Sequence, residues 1–198
     1  MTASALRAAE RVTMLHTPRA VLMDRAAAAL AAEATGARAV ALLVGRGNNG
    51  GDALLAGALI AGRGASVTAV LLTPDAHKRG LVALAEAGGR VLEWATDAAA
   101  AADAIAEADL VIDGIVGIGG KGGLRDDDSA AVGAIAPGTR VIAVDMPSGL
   151  DPDSGDASAP HVTAETTVTF TAPKACLVLD PAKASAGRVV LVDVGVTL

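Results

Sequence analysis

The chain has 198 residues, of which 52% are hydrophobic, and its formal net charge is −6 at pH 7. This length and apolar fraction suit one domain with a large core and are short for two. An acidic chain with one Trp and one Phe lacks the basic surface and the stacking aromatic side chains that nucleic-acid-binding proteins use. We therefore expect no nucleic-acid partner.

The sequence also argues against a membrane or secreted protein. No apolar run approaches the roughly 20 residues of a membrane span. Arg7, Glu10 and Arg11 interrupt the N-terminal segment, where a signal peptide needs an apolar centre. The one cysteine, Cys176, excludes an internal disulfide and a multi-cysteine metal site. We expect a cytoplasmic protein that binds no membrane.

Residues 1–35 are predicted to be helical, with a break near Pro18, because apolar residues after Arg19 recur at helical spacing. Strands and helices then alternate. The predicted strands are 39–44, 66–72, 90–93, 110–112 and 140–144, and the predicted helices between them are 53–63, 75–87, 97–106 and 129–135.

This alternation predicts an α/β fold with a mostly parallel sheet and helices on both of its faces. The strand at 66–72 lacks polar alternation, which is typical of strands buried on both sides. Towards the C-terminus, 163–171, 176–179 and 187–194 are strand-like. We expect a single domain, 1–198, with N-terminal helices over about 1–35 and the α/β body over about 36–198.

The segment after the first strand, 45–52, reads Gly-Arg-Gly-Asn-Asn-Gly-Gly-Asp. Glycines in a strand-to-helix turn let backbone N–H groups approach an anion at the helix N-terminus. Asn48, Asn49 and Asp52 add polar side chains that a plain turn does not need. The alternative is a tight turn capped by its own side chains.

Two further strands end in polar residues that should meet this loop, because ligands bind beyond the carboxyl ends of parallel strands. Asp113 precedes the glycine-rich segment 114–123, whose one cation, Lys121, could reach a phosphate or a catalytic centre. A capping carboxylate and a solvated lysine remain the alternatives.

The third loop begins at Asp145, directly after an apolar strand. A carboxylate there is costly unless it is partnered or faces a cleft, which makes Asp145 the best candidate for acid-base chemistry. We do not expect a Ser148 nucleophile, since no motif links it to His16, His77 or His161.

The three loops also offer oxygen ligands without nitrogen or sulfur donors. Asn49, Asp113 and Ser148 together suit an alkali or alkaline-earth cation. One such ion could tie the loops to each other.

Four segments, 47–52, 111–117, 143–151 and 169–174, resemble motifs of the YjeF N-terminal domain family, the NAD(P)H-hydrate epimerases. The resemblance covers nearly the whole chain and implies a Rossmann-like three-layer α/β/α fold. It also implies an isomerase that interconverts the R and S epimers of NADHX and NADPHX, the hydrated forms of nicotinamide cofactors. Such an activity repairs metabolites.

The resemblance further implies where the ligands lie. A potassium ion would be held by Asn49, Asp113 and Ser148. The residues that would contact the substrate are Asn48, Asn49, Gly50, Gly51, Asp52, Gly117, Ile118, Gly119, Gly120, Lys121, Gly122, Gly123 and Asp145.

A mechanism follows from the substrate's chemistry. The epimerised carbon, C6, bears a hydroxyl beside a ring nitrogen, so loss of that hydroxyl as water leaves a nitrogen-stabilised cation open to water from either face. We expect Asp145 to act as acid, base or both, with Lys121 assisting or binding phosphate. Val116 stands where the family often has an aromatic residue, which could alter stacking on the nicotinamide ring.

Two alternative functions remain open. The glycine spacing, with Asp75 near the end of the second strand, also fits a NAD-dependent oxidoreductase. Related domains also serve as non-catalytic scaffolds, and a fold alone does not fix function. The resemblance further suggests a homodimer and a separate or fused NAD(P)H-hydrate dehydratase as partner.

Overall fold

The computed structural model describes residues 1–197, which form one seven-stranded sheet flanked by helices. The strands are β1 (Ala39–Val44), β2 (Ser66–Leu71), β3 (Arg90–Glu93), β4 (Leu110–Gly114), β5 (Arg140–Val144), β6 (Thr166–Phe170) and β7 (Arg188–Val192). The helices are α1 (Ala3–Thr13), α2 (Arg19–Glu33), α3 (Gly47–Ala61), α4 (Lys78–Glu86), α5 (Trp94–Ala106) and α6 (Asp126–Gly133). Two short 3₁₀ helices, Ala175–Leu177 and Ala182–Ser185, precede β7.

All the strand pairings are parallel, in the order β3-β2-β1-β4-β5-β6-β7. The chain moves from β1 outward through β2 and β3, then returns to place β4 on the other side of β1. Loops after β1 and β4 therefore diverge, which opens a crevice at the carboxyl edge of the sheet. The predicted α/β/α Rossmann-like fold is confirmed.

The core has two layers because the central strands are apolar on both faces. One layer packs α2, α3 and α4 against the sheet, and the other packs α5 and α6. Leu42 and Leu43 point to opposite layers, and both are fully buried. Each such leucine contributes roughly 1.5–3 kcal/mol relative to an exposed side chain. No helix of the described residues, 1–197, is long and apolar enough to cross a membrane.

Several predicted elements differ from the structure. The strand-like segment 176–179 is not a strand, because its apolar residues fill the third cluster of the core around a 3₁₀ helix. Helix α4 begins at Lys78, since His77 caps it by accepting a hydrogen bond from the Gly80 N–H at 3.2 Å. Helix α3 begins at Gly47 rather than Ala53, so the polar residues after β1 belong to the helix.

Candidate functional site

The loops after β1, β4 and β5 meet at the carboxyl edge of the sheet, as the sequence predicts for a parallel topology. A cavity of about 400 Å³ lies there. Its floor comes from α3, from the segment after β4 and from the start of the segment after β5, and α1 forms one wall. The site is thus built from the N-terminal helix and from segments between Arg46 and Phe170.

The β1–α3 turn brings a helix N-terminus to this cavity. A side chain at Gly45 would collide with the carbonyl of Ile115, so glycine allows the turn to approach the β4 loop. Gly47 has φ +82°, and α3 starts at that residue. The first turn of α3 leaves backbone N–H groups free, and Asn48 and Asn49 line the cavity beside them. Such a helix N-terminus favours an anionic ligand.

Asp113 joins two of the loops through Ser148. The Asp113 carboxylate is fully buried and accepts hydrogen bonds from the Ser148 N–H at 2.8 Å and the Ser148 hydroxyl at 2.6 Å. It also accepts one from the Ile115 N–H at 3.2 Å. Burial raises the pKa of Asp113 to about 6, although the hydrogen bonds from Ser148 oppose that rise. No Lys, Arg or His side chain within residues 1–197 forms a salt bridge with this carboxylate.

The Ser148 hydroxyl has more oxygen neighbours than it has protons. Its Oγ accepts from the Val116 N–H at 2.9 Å and donates its one hydrogen to Asp113. The Val116 carbonyl oxygen lies 3.0 Å from the same Oγ. One oxygen–oxygen contact therefore lacks a hydrogen, which is the kind of contact that a cation relieves.

Asn49 faces this junction from α3. A Cβ atom at Gly117 would lie 2.8 Å from Asn49 Oδ1, so glycine leaves that oxygen accessible. The buried Nδ2 of Asn49 has no hydrogen-bond partner in the described part of the chain. Buried polar atoms without a partner are rare, so this amide nitrogen is a candidate contact for a ligand.

Asp145 lies at the cavity in a strained backbone conformation. Its φ is +70°, which costs a non-glycine residue roughly 1–3 kcal/mol, and such conformations cluster at functional sites. Its Oδ1 forms an ion pair with Lys174, whose side chain is 2% exposed. Lys174 Nζ also donates to Thr169 Oγ1 at 2.9 Å and to the Phe170 carbonyl at 3.1 Å.

This arrangement leaves the second oxygen of Asp145 free for chemistry. A Cβ at Gly117 would lie 3.1 Å from Asp145 Oδ2, so the glycine keeps that oxygen open towards the cavity. Lys174 neutralises the buried charge from the other side. Asp145 is therefore a carboxylate held in place at one oxygen and accessible at the other.

Two more carboxyl groups line the same cavity. Asp52 is 7% exposed, and burial raises its pKa well above the ordinary value, with the charges of Asp145 and then Glu10 adding to the rise. Burial likewise raises the pKa of Glu10, and Asp145 adds to that effect. The cavity therefore concentrates carboxyl groups that hold protons more tightly than exposed ones.

Four guanidinium groups border the carboxyl groups. They belong to Arg7, Arg11, Arg19 and Arg46, and all of them line the cavity. Arg7 also donates to the carbonyl of Ile118, which ties α1 to the loop after β4. A cavity edged by arginines and a helix N-terminus suits a ligand with several phosphate oxygens.

The structure divides the predicted site residues into four groups. Those that line the cavity are Asn48, Asn49, Asp52, Gly117, Ile118, Gly119 and Asp145. Gly120 and Gly123 line a neighbouring cavity of about 320 Å³ that shares Arg46, Val116 and Gly119 with the first. Gly50, Gly51, Asp113 and Ser148 are buried below the rim, and Lys121 and Gly122 are exposed and line neither cavity.

Sequence reasoning missed the partner of Asp145 and the wall formed by α1. Lys174 ends the segment 169–174, which the resemblance already singled out, so a cation at the end of that segment was the available clue. Arg7, Glu10 and Arg11 recur on one face of an amphipathic helix, a pattern that indicates a polar face but not what it covers. Cys176 takes no part, because burial raises the pKa of its thiol to about 12.

No histidine lines the main cavity in the described part of the chain. His161 is hydrogen-bonded through Nδ1 to the Ala159 carbonyl and through Nε2 to Ser185 Oγ. Within residues 1–197, no three His, Cys, Asp or Glu side chains form a cluster that could hold a metal ion. The oxygens linked to Asp113 are of mixed type, since the Ser148 hydroxyl contacts both its carboxylate and the Val116 backbone carbonyl.

Comparisons with known proteins show which enzymes this chain is similar to. The chain is 43% identical to the bifunctional NAD(P)H-hydrate repair enzyme Nnr of Mycobacterium leprae, over 98% of this chain and 41% of that protein. It is 42% identical to the NAD(P)H-hydrate epimerase of Microbacterium testaceum, over 98% of this chain and 77% of that protein. It is 44% identical to the same enzyme of Clavibacter sepedonicus, over 99% and 90%. The chain thus spans about two fifths of the bifunctional relatives and most of the epimerases.

The fold has a solved counterpart. The crystal structure of yeast ynu0 superposes with a TM-score of 0.72 at 20% identity, and the match covers 87% of this chain and 80% of the yeast chain. At that identity the likeness concerns the fold alone. The family model for the YjeF-related protein N-terminus matches residues 19–176, which include both Asp113 and Asp145. The chain is therefore a member of the YjeF-related protein N-terminus family.

Proposed function

We propose that this protein is a NAD(P)H-hydrate epimerase, an isomerase that interconverts the R and S forms of NADHX and NADPHX. The observation that carries the proposal is the Asp145–Lys174 ion pair, which holds one carboxylate oxygen and leaves the other facing an arginine-edged cavity. The names of the similar proteins support the same activity.

The cavity suits a dinucleotide hydrate. The arginines and the N-terminus of α3 match the diphosphate in charge. Ile118 and Phe170 add apolar surface for the hydrated nicotinamide ring. The other predicted substrate contacts, from Asn48 to Asp52 and from Gly117 to Gly123, would hold the remainder of the ligand, with Lys121 at the outer rim.

Asp145 is positioned to exchange protons at C6. Breaking the C6–O bond needs a proton on the departing hydroxyl, and forming the new bond needs a base for the incoming water. Asp145 Oδ2 can serve either step, while Lys174 and Thr169 fix the carboxylate by binding Oδ1. In this proposal Lys121 assists from the rim by binding a phosphate.

The proposal includes a potassium ion held by Asn49, Asp113 and Ser148. These oxygen ligands fit a hard, weakly charged cation. The buried Asp113 has no basic partner among the described residues, and no hydrogen remains for the contact between Ser148 Oγ and the Val116 carbonyl oxygen. When bound, the ion supplies positive charge that keeps the three loops together. The chain's own residues carry out the proton transfers.

The proposal extends to partners and place of action. Epimerisation completes repair only if a NAD(P)H-hydrate dehydratase, separate or fused, consumes one epimer. We also propose that the protein forms a homodimer and that it acts in the cytoplasm. The remaining alternative is a non-catalytic scaffold or nucleotide-binding module of the same fold.

Epimerisation of purified R-NADHX, followed by chiral chromatography with and without potassium, tests the proposal. We expect conversion well above the spontaneous rate that is lost in Asp145→Ala. Asp103→Asn removes an exposed carboxylate from α5, away from this cavity, and should leave the rate unchanged. Folded protein without activity would favour the scaffold alternative.

A further inference from the structure

Asp52 is a buried carboxyl group that lacks the hydrogen-bond partners expected of a buried polar side chain. It lies in the second turn of α3, is 7% exposed and lines both the main cavity and a smaller one of about 90 Å³ beside it. Its Oδ1 has no hydrogen-bond partner within residues 1–197. A buried, unpartnered carboxyl oxygen at a cavity is placed for a ligand rather than for stability.

The charges around Asp52 favour a bound proton. The carboxyl groups of Glu10 on α1 and Asp145 after β5 both raise the pKa of Asp52, and Lys174 is paired with Asp145. Arg19 and Arg46 also line the cavity, but neither forms a salt bridge with Asp52. Burial and the two neighbouring carboxylates together raise the pKa of Asp52.

We propose, on the basis of the epimerase function above, that Asp52 is a second catalytic carboxyl group, which protonates the departing C6 hydroxyl while Asp145 accepts the proton of the incoming water. The two groups come from different elements of the same cavity. Asp52 Oδ1 has no hydrogen-bond partner within residues 1–197, whereas Asp145 is paired with Lys174 through Oδ1.

The step balances without an oxidant or a further reactant. The Asp52 proton moves to the C6 hydroxyl, and the C6–O bonding electrons leave with it as water. The lone pair of the ring nitrogen stabilises the C6 cation. Water then adds to the opposite face, its oxygen forms the new C6–O bond, and its proton moves to the Asp145 carboxylate. The roles reverse for the opposite epimer, which suits a reaction that runs in both directions.

Glu10 is less suited to this role than Asp52. It is half-buried rather than buried, and Arg7 and Arg19 lower its pKa against the effect of burial. It also lies on α1, outside the segment 19–176 that matches the family model. Asp52 lies on α3, in the floor of the cavity, and Glu10 lies on α1, in its wall.

Asp52→Asn tests the assignment, because the amide has nearly the same shape but no acidic proton. We expect kcat to fall by about 10²-fold or more, as for other general acids, with KM changed only a few-fold. The wild-type kcat should decline as pH rises and Asp52 loses its proton, and the residual rate of the variant should lack that decline. Asp103→Asn is the matched control. A variant that keeps more than half of kcat, or changes KM alone, would overturn the assignment.

Infrared spectroscopy gives a readout that does not depend on activity. A protonated carboxyl has a C=O stretching band distinct from that of a carboxylate, and in a pH titration one such band should persist to higher pH in the wild type than in Asp52→Asn. Identical titrations of the band in the two proteins would contradict a raised pKa of Asp52. If Asp52→Asn does not fold, Asp52→Ser replaces it and should show the same loss of kcat.

The two proposals fail in different ways. A folded, inactive wild-type protein would refute the epimerase function and the role of Asp52 with it. An active wild-type protein with a fully active Asp52→Asn would refute the role of Asp52 alone.

Discussion

Two carboxylates at the ends of neighbouring strands have opposite surroundings. Asp113 of β4 is enclosed, and its oxygens accept hydrogen bonds from Ser148 and Ile115. Asp145 after β5 is paired at one oxygen and open to the cavity at the other. We propose that the enclosed carboxylate joins loops and that the open one performs chemistry, although their positions in the sequence pattern are alike.

The largest effect should come from the open carboxylate. Asp145→Asn should lower kcat by about 10²- to 10⁴-fold, because the amide cannot accept a proton. It also leaves Lys174 buried without a counter-charge, and loss of one partner of a buried pair costs roughly 3–5 kcal/mol of stability. Steady-state kinetics well below the melting temperature separates the two effects.

The double variant Asp145→Asn, Lys174→Met is the control for stability. It removes both charges, so it should recover much of the lost melting temperature and none of the activity. Activity in the double variant would contradict a chemical role for Asp145.

Changes at the enclosed carboxylate, Asp113, should alter the affinity for potassium rather than the rate of the chemical step. Ser148→Ala removes the hydroxyl that links Asp113 to the Val116 carbonyl, and we expect the half-saturating potassium concentration to rise by roughly 10-fold, or about 1.4 kcal/mol. Activity titrated with potassium at constant ionic strength, with choline as the replacing ion, measures this. Ser66→Ala, at the exposed start of β2, is the control. An identical titration for both variants would argue against the loop junction as the cation site.

The raised pKa of Asp52 should make the free energy of unfolding depend on pH. Its pKa is raised in the folded protein, so the fold is favoured while the group is protonated. This contribution is fully present below the unfolded pKa of about 4 and is lost as pH rises through the higher folded pKa, at about 1.4 kcal/mol per unit of difference. Urea unfolding from pH 4 to pH 8 should therefore show a smaller decline for Asp52→Asn than for the wild type. Parallel curves would mean that Asp52 has an ordinary pKa.

The smallest effect should come from Lys121, which is exposed and lines neither cavity. Lys121→Met should raise KM by about 2- to 5-fold through the loss of an exposed phosphate contact, with little change in kcat. Lys183→Met, on the second 3₁₀ helix, is the matched control. A loss of kcat as large as that of Asp145→Asn would give Lys121 a direct part in the proton transfers.

The sequence predicted the parts of the site that follow from strand ends. Parallel strands end at one edge, so Asn49, Asp113 and Asp145 could be brought together from pattern alone. The Asp145–Lys174 pair depends on the turn after β6, which no periodicity describes. The role of α1 depends on where a helix docks, and an amphipathic pattern does not define its partner. The start of α3 was placed too late because glycines weaken helix propensity, and packing overrides that preference here.

The most direct test of the account uses water labelled with oxygen-18. If C6 loses its hydroxyl as water and regains another between the two carboxyl groups, R-NADHX incubated with the enzyme should take up the label at C6 in step with epimerisation, as mass spectrometry of the quenched reaction would measure. Epimerisation that proceeds at the full rate without uptake of the label would contradict the dehydration step and the roles given to Asp145 and Asp52.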